Sequence, residues 1–336
     1  MRPFEYSRAN TVEAAINAYG DPTQLKPHKE VQYLGGGTNL IDLMKMGVER
    51  PGVLVDVSRL PLKQIEERRG GLLIGALVSN TDCANHELVR TRYPVLSRAI
   101  LSGATQQLRN KATMGGNLLQ RTRCYYFYDP ALGSCNKRNP GSGCSAIAGI
   151  NRIHAILGSS KECIATHPSD MCVALSALRA SVLVRGPKGD RTIAFDDFHR
   201  LPGDTPWMDT NLAPGELITG IELPPITYAK QSSYIKVRDR NSYAFALVSA
   251  AAVLDIDDAT GTIRQAHISL GGVSHVPWRA GVAEKYLTGK KLEEPIIRAA
   301  AELELQNARP QSSNAFKVEL AKRTIVRAVM TAASEI

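Results

Sequence analysis

Two glycine-rich turns and one run of four cysteines are the parts of this chain whose residue types and spacing could do chemistry. Gly35-Gly36-Gly37-Thr38-Asn39 follows a short apolar stretch, Val31 to Leu34. Glycines reach positive φ and let the backbone approach a ligand closely, so successive N–H groups can converge on one anion. A helix starting at Leu40 would add partial positive charge, and Thr38 and Asn39 would add side-chain donors. A pyrophosphate is the natural guest. The turn also invites a dinucleotide-binding fingerprint, with Asp56 at a strand end as the ribose acid, but the third glycine is missing because position 40 is Leu. A plain tight turn is the competing reading. Thr113-Met114-Gly115-Gly116-Asn117 repeats the chemistry after the polar stretch Gln107-Leu108-Arg109-Asn110. Two such loops could grip one large phosphate-containing cofactor from both sides.

Cys124, Cys135, Cys144 and Cys163 are spaced C-x10-C-x8-C-x18-C. Four thiolates can hold a [4Fe–4S] cluster or a tetrahedral zinc. Zinc sites draw on close cysteine pairs, which are absent, so wide spacing in a wrapping loop suits the cluster better. Tyr125-Tyr126-Phe127-Tyr128 and Pro140-Gly141-Ser142-Gly143 would supply an apolar shield and tight turns. Two disulfides formed in an oxidising compartment, or four unrelated thiols, are the plainer alternatives. Cys83 and Cys172 read as ordinary buried residues.

These motifs need elements to position them. Helices are expected at Thr11–Tyr19, Leu40–Met46, Asp82–Val89, Pro94–Gly103 and Asp170–Arg179, and strands at Val31–Leu34, Val53–Val57, Leu72–Ala76, Ser181–Arg185, Ile193–Phe195 and Ile218–Leu223. The strands do not read as a doubly wound parallel sheet. From Arg121 to about Cys163 periodicity dissolves, and a structureless stretch that long suggests order imposed by a bound centre. Pro224-Pro225 marks a domain boundary. Beyond it come three strands, Ser233–Val237, Ala246–Ile256 and Ile263–Leu270, then helices at Gly281–Leu287, Pro295–Ala308 and Asn314–Ala333.

The 336 residues are 43% hydrophobic and 22% charged, ordinary for a globular protein. No apolar run reaches the roughly 20 residues needed to cross a bilayer, and no export signal is expected at the N-terminus, where Met1 to Ala15 offers no apolar core. The net charge of +9 is scattered; Lys236, Arg238 and Arg240 alternate along a strand like a solvated face, so an acidic partner protein is expected and nucleic acid is not.

GGGTNL (35–40), TMGGN (113–117), HPSD (167–170), LAPGELITGIELP (212–224) and YIKVRDRNSYAFALVS (234–249), in this order, resemble the FAD-binding subunits of the xanthine dehydrogenase and molybdenum hydroxylase family, over nearly the whole chain. The cysteine-bearing insertion is similar to that of the periplasmic aldehyde oxidoreductases within the family and, more distantly, the 4-hydroxybenzoyl-CoA reductases, both of which carry an extra [4Fe–4S] cluster there. The resemblance implies an α+β chain. A vanillyl-alcohol-oxidase-type (PCMH) FAD-binding domain would occupy 1–226, with the cluster insertion at about 121–165. A smaller α/β domain, like the carbon monoxide dehydrogenase flavoprotein C-terminal domain, would occupy 228–336. It further implies that Gln32, Tyr33, Leu34, Gly35, Gly36, Gly37, Thr38, Asn39 and Leu40 wrap the FAD pyrophosphate. Thr113, Gly116 and Asn117 would form the second phosphate-side loop. Asp170 would hydrogen-bond FAD or cap its helix, Ile218 would pack near the ring system, and Lys236 would lie near the flavin's polar edge. The four insertion cysteines would ligate the cluster.

The implied activity is electron transfer within a heterotrimer. A large subunit binds the molybdenum cofactor, a small subunit carries [2Fe–2S], and this chain passes electrons through FAD to an external acceptor. No molybdopterin-binding apparatus is present here. A periplasmic location is expected if a signal-bearing partner exports the complex, and a cytoplasmic one otherwise. A free-standing flavin oxidase or reductase of the same fold is the rival reading. It needs a general acid or base beside the flavin, and His86, His154, His167, His199, His267 and His275 show no pairing pattern. A zinc-stabilised nucleic-acid-binding module is the non-enzymatic alternative.

Overall fold

In the computed structural model, which describes residues 1–20 and 31–334, three sheets follow one another along the chain. The first unit comprises β1 (Glu5–Arg8), α1 (Val12–Tyr19), β2 (Val31–Leu34), α2 (Leu40–Lys45) and β3 (Val53–Asp56). Its strands run parallel in the order β1-β3-β2. Thr11 caps α1 by accepting the Ala14 N–H at 3.0 Å, and the helix buries Val12, Ala15 and Ile16 with Val31 and Val55 of the sheet. Val31–Leu34 is the expected strand, and it delivers the chain straight into the triple-glycine turn.

The second unit begins with β4 (Ile65–Arg68), β5 (Gly71–Gly75), α3 (Asn80–Asn85), α4 (Glu87–Arg92), α5 (Pro94–Ser102), α6 (Gln106–Lys111) and α7 (Met114–Leu118). It continues with α8 (Tyr125–Tyr128), α9 (Ser145–Ala148), α10 (Asp170–Ala177), β6 (Ser181–Gly186), β7 (Gly189–Ala194) and β8 (Leu217–Leu223). The strands form a sheet ordered β4-β5-β8-β6-β7 whose ladders are all antiparallel. A doubly wound parallel fold is therefore ruled out by pairing, as the missing third glycine suggested. The expected helix Asp82–Val89 is two helices, broken at His86, whose extended backbone (ψ 132°) cannot continue a helix. Every residue of α10 is buried, so it runs through the core.

The third unit holds β9 (Ser232–Val237), β10 (Val248–Asp257), β11 (Thr262–Gly271), β12 (Trp278–Arg279), α11 (Gly281–Leu287), α12 (Glu294–Leu305) and α13 (Phe316–Ala333). Its sheet is antiparallel, ordered β12-β11-β10-β9. β10 is buried on both faces. Ala251 and Val253 join the central core with α5 and α10, while Ala250, Ala252 and Leu254 face the core built with α11, α12 and α13. That explains its apolar run from Ala250 to Leu254. No helix among the described residues is long and apolar enough to cross a membrane.

Candidate cofactor-binding site

The two glycine loops lie against each other. A Cβ built on Gly36 would stand 1.9 Å from the Lys111 carbonyl oxygen, and one on Gly35 would stand 3.1 Å from Thr113 Oγ1. Position 36 therefore needs glycine for close backbone approach, whereas Gly37 needs it for its φ of +74°. The second loop is anchored through its amides. Met114 N donates to Val78 O at 2.9 Å, Gly115 N to Ala76 O at 2.8 Å and Asn117 N to Thr113 O at 2.8 Å. Thr113 caps the short α7, its Oγ1 accepting the Gly116 N–H at 3.1 Å.

The first loop is the reverse case. Among the described residues, no backbone N–H from Gly35 to Leu40 donates to a protein acceptor. Asn39 Oδ1 accepts the Arg121 N–H at 2.9 Å, which aims its amide nitrogen, and that Nδ2 is buried without a partner. A buried donor such as Asn39 Nδ2 is costly to leave unpaired unless a ligand takes it. This row of free donors fits a phosphate group. With six residues, α2 adds little aligned dipole, so the donors themselves carry the attraction.

Gln32 to Leu40 are all half-buried, but not all side chains face a ligand. Tyr33 Oη donates to Gly215 O at 2.9 Å, and Gln32 Nε2 donates to Glu49 Oε2 at 3.1 Å. Glu49 opens a chain of alternating charges that the sequence did not disclose. It accepts from Arg121, whose Nε donates to Asp209 Oδ2 at 2.8 Å. Asp209 Oδ1 pairs with Lys137, whose Nζ also meets Pro206 O at 2.6 Å and His275 Nε2 at 2.8 Å. The Lys137 side chain is 1% exposed. Burial alone would raise the Asp209 carboxyl, but Lys137 and Arg121 hold it well below the usual carboxylate range. Burial lowers His275 to about 4, so it faces Lys137 as a neutral ring. The chain joins the triple-glycine turn, through Arg121 and Asn39, to the cysteine insertion.

Asp170, Tyr234 and Lys236 form a second buried group. Asp170 Oδ1 accepts from Tyr234 Oη at 2.6 Å and Oδ2 from Lys236 Nζ at 2.7 Å, and Lys236 also donates to Ser102 O at 3.0 Å. Two expectations are corrected here. Ser169, not Asp170, caps α10, its Oγ accepting the Cys172 N–H at 3.1 Å. Lys236 and Arg238 are not a solvated face: the Lys236 side chain is 4% exposed, and Arg238 donates to Ser102 O at 3.3 Å. Asn117 Oδ1 accepts from Ser169 Oγ at 2.6 Å, which ties the second glycine loop to α10. Ile218 lies in the central core with Met114 and Leu118. Asp56 is structural: it accepts from Tyr6, from Arg8 Nε at 3.1 Å and from Ser58 N at 2.8 Å.

The six cysteines are free thiols. Cys124, Cys135, Cys144 and Cys163 gather in one small cluster with Phe127, Ala146, Ile164 and Ala165, and Cys135 and Cys144 are bridge partners in the backbone. Burial pushes Cys124 and Cys163 up to about 12, so the thiolate forms need a metal's charge beside them. Among the described residues, the one group of three ligand atoms lying within 4.8 Å of one another is His167, Cys172 and His199. The four insertion cysteines do not form such a group. His167 and His199 pack edge to face with ring centroids 4.3 Å apart, a pairing with no sequence signal because it joins two separate loops.

Residues 2–226 match the family described as the FAD binding domain in molybdopterin dehydrogenase, and residues 233–332 match the carbon monoxide dehydrogenase flavoprotein C-terminal domain. The chain is 48% identical to the aldehyde oxidoreductase FAD-binding subunit PaoB of Escherichia coli (strain K12), over 100% of both chains. It is 27% identical to the glyceraldehyde dehydrogenase medium chain of Sulfolobus acidocaldarius, covering 93% of this chain and 90% of that one. Among solved structures it superposes on a carbon monoxide dehydrogenase chain from Hydrogenophaga pseudoflava with a TM-score of 0.75 at 25% identity, covering 100% of this chain and 99% of that one. Matched family, full-length relatives and paired glycine loops agree: the chain belongs to the FAD-binding medium subunits of the molybdenum hydroxylase family, and is an oxidoreductase subunit.

Proposed function

We propose that this chain is the FAD- and [4Fe–4S]-carrying electron-transfer subunit of a molybdenum-dependent aldehyde oxidoreductase. Its partners in that reading are a large subunit with the molybdenum cofactor and a small [2Fe–2S] subunit, and its electrons leave to an external acceptor. The complex is periplasmic where a signal-bearing partner exports it. The observation that carries the reading is the row of unpaired donors from Gly35 to Leu40, with buried Asn39 Nδ2, set against the anchored second loop. Aldehyde as substrate class rests on the 48% identity to an aldehyde oxidoreductase subunit.

Bound FAD supplies a carrier that exchanges electrons one or two at a time; the protein's part is binding, orientation and exclusion of side reactions. Gln32 to Leu40 would cradle the pyrophosphate through main-chain N–H groups and Asn39. Thr113, Gly116 and Asn117 would close the opposite side, Thr113 with the hydroxyl proton its cap bond leaves free. Asp170 and Lys236 hold each other and so fix β9 against α10, beside which Ile218 would offer an apolar wall. The flavin domain would span 1–226 and the C-terminal domain 228–336. The insertion at about 121–165 would hold the cluster through Cys124, Cys135, Cys144 and Cys163. Their shared place in one small buried cluster supports a common ligand role.

An absorption spectrum of the purified complex with metal analysis tests this directly. One flavin and about four irons per chain of this subunit, beyond the iron of the small subunit, are expected. A preparation with no flavin band, or with zinc in place of this iron, would refute the assignment.

A further inference from the structure

Among the described residues, Cys124 is the one insertion sulfur within hydrogen-bond distance of a histidine ring nitrogen. His154 Nε2 stands 3.1 Å from Cys124 Sγ, whereas Cys163 Sγ accepts a backbone N–H, from Ala165, at 3.4 Å. His154 is 1% exposed, and its other ring nitrogen, Nδ1, is buried with no partner. The backbone of His154 is clamped. Its N–H donates to Asn151 O at 3.1 Å. Its carbonyl accepts from Lys317 Nζ at 2.8 Å and from Asn314 Nδ2 at 3.1 Å. Lys317, itself fully buried at the start of α13, also donates to Gly272 O. Helix α13 and the turn before it thus hold a ring against a cysteine of the insertion.

The tautomer follows from what each nitrogen faces. A proton on Nδ1 would bury a donor with no acceptor and turn the Nε2 lone pair onto the sulfur. A proton on Nε2 points at that sulfur, which as a metal ligand is a thiolate and accepts it. Nδ1 then keeps only an unused lone pair, the cheaper orphan. Hydrogen bonds to cluster sulfurs offset negative charge, and they do so more for the reduced centre, which carries one electron more.

We propose that His154 is a positioning residue that donates its Nε2–H to the Cys124 thiolate and raises the reduction potential of the [4Fe–4S] centre. This rests on the cluster reading above. The clamp from Lys317 and Asn314 sets the ring's distance, so the C-terminal domain tunes a centre held by the preceding one.

The test uses the full complex, unmodified and as His154→Gln and His154→Leu, with three readouts: iron per chain, the midpoint potential from an EPR-monitored titration, and pulsed EPR on protein whose histidines carry heavy nitrogen. His154→Leu should keep its iron and shift the potential to more negative values, with His154→Gln recovering part of the shift through its side-chain N–H. Unmodified protein should show a histidine nitrogen coupled to the reduced cluster, and both variants should lose that coupling. Equal potentials in all three proteins would overturn the proposal. If His154→Leu fails to assemble, the unmodified protein decides: iron present without a coupled histidine nitrogen sinks this proposal alone. Iron missing altogether sinks the cluster reading and this proposal with it.

Discussion

Replacing Asp209 with asparagine removes the middle charge of the Glu49–Arg121–Asp209–Lys137 chain while keeping its shape. Arg121 retains Glu49, but Lys137, its side chain 1% exposed, loses its sole carboxylate among the described residues and keeps only the Pro206 carbonyl and the neutral His275 ring. Removing one member of a buried pair costs roughly 3–5 kcal/mol. The Asp209 side chain is 29% exposed and the amide still offers an oxygen, so the low end applies, about 3 kcal/mol. At roughly 2–4 °C per kcal/mol, the melting temperature should fall by about 6–12 °C. The pH dependence has a definite sign. Because the folded carboxyl titrates below its unfolded value, its stabilisation is fully present above about pH 4 and is lost as pH falls toward the folded value. Scanning calorimetry of flavin-saturated protein, parent and variant, should therefore show the full gap at pH 7 and a gap that narrows below about pH 4. Equal melting temperatures at pH 7, or a gap that ignores acidification, would refute the reasoning.

Lys236→Met should cost roughly 3 kcal/mol in denaturant unfolding, because it leaves the buried Asp170 carboxylate without its cation and with only the Tyr234 hydroxyl as side-chain donor. Adding Asp170→Asn should recover part of that loss, since the buried charge is then gone. Cys135→Ala in the holo-complex should lose iron before flavin, read by metal analysis against flavin absorbance; normal iron would remove Cys135 from the ligand set.

The regular elements were legible where apolar spacing was strong. Val31–Leu34 and Gly281–Leu287 stand as expected, and Thr11 caps α1. β1 and β4 carried no signal, for a physical reason. All four residues of β1 are exposed, and β4 buries neither Glu66 nor Glu67, so neither strand alternates. α6, Gln106–Lys111, has no buried residue and reads as a polar loop. At the site, the glycine loops showed themselves because close approach restricts residue type. Arg121, Lys137, Asp209 and His275 stayed hidden, since a chain of charges joined across the fold has no local spacing. Lys236 misled because a buried ion pair and a solvated stripe share the same alternation along a strand.

Flavin affinity of Gly36→Ala bears most directly on the central claim, that the two glycine loops together hold the FAD phosphates. The added methyl would stand 1.9 Å from Lys111 O, so the loops must part by roughly an ångström or more to reach ordinary contact. Titration of the flavin-depleted proteins should show at least about tenfold weaker FAD binding in the variant, about 1.4 kcal/mol or more, with its circular dichroism unchanged. A natively folded Gly36→Ala protein that binds FAD as tightly as the parent would contradict the account.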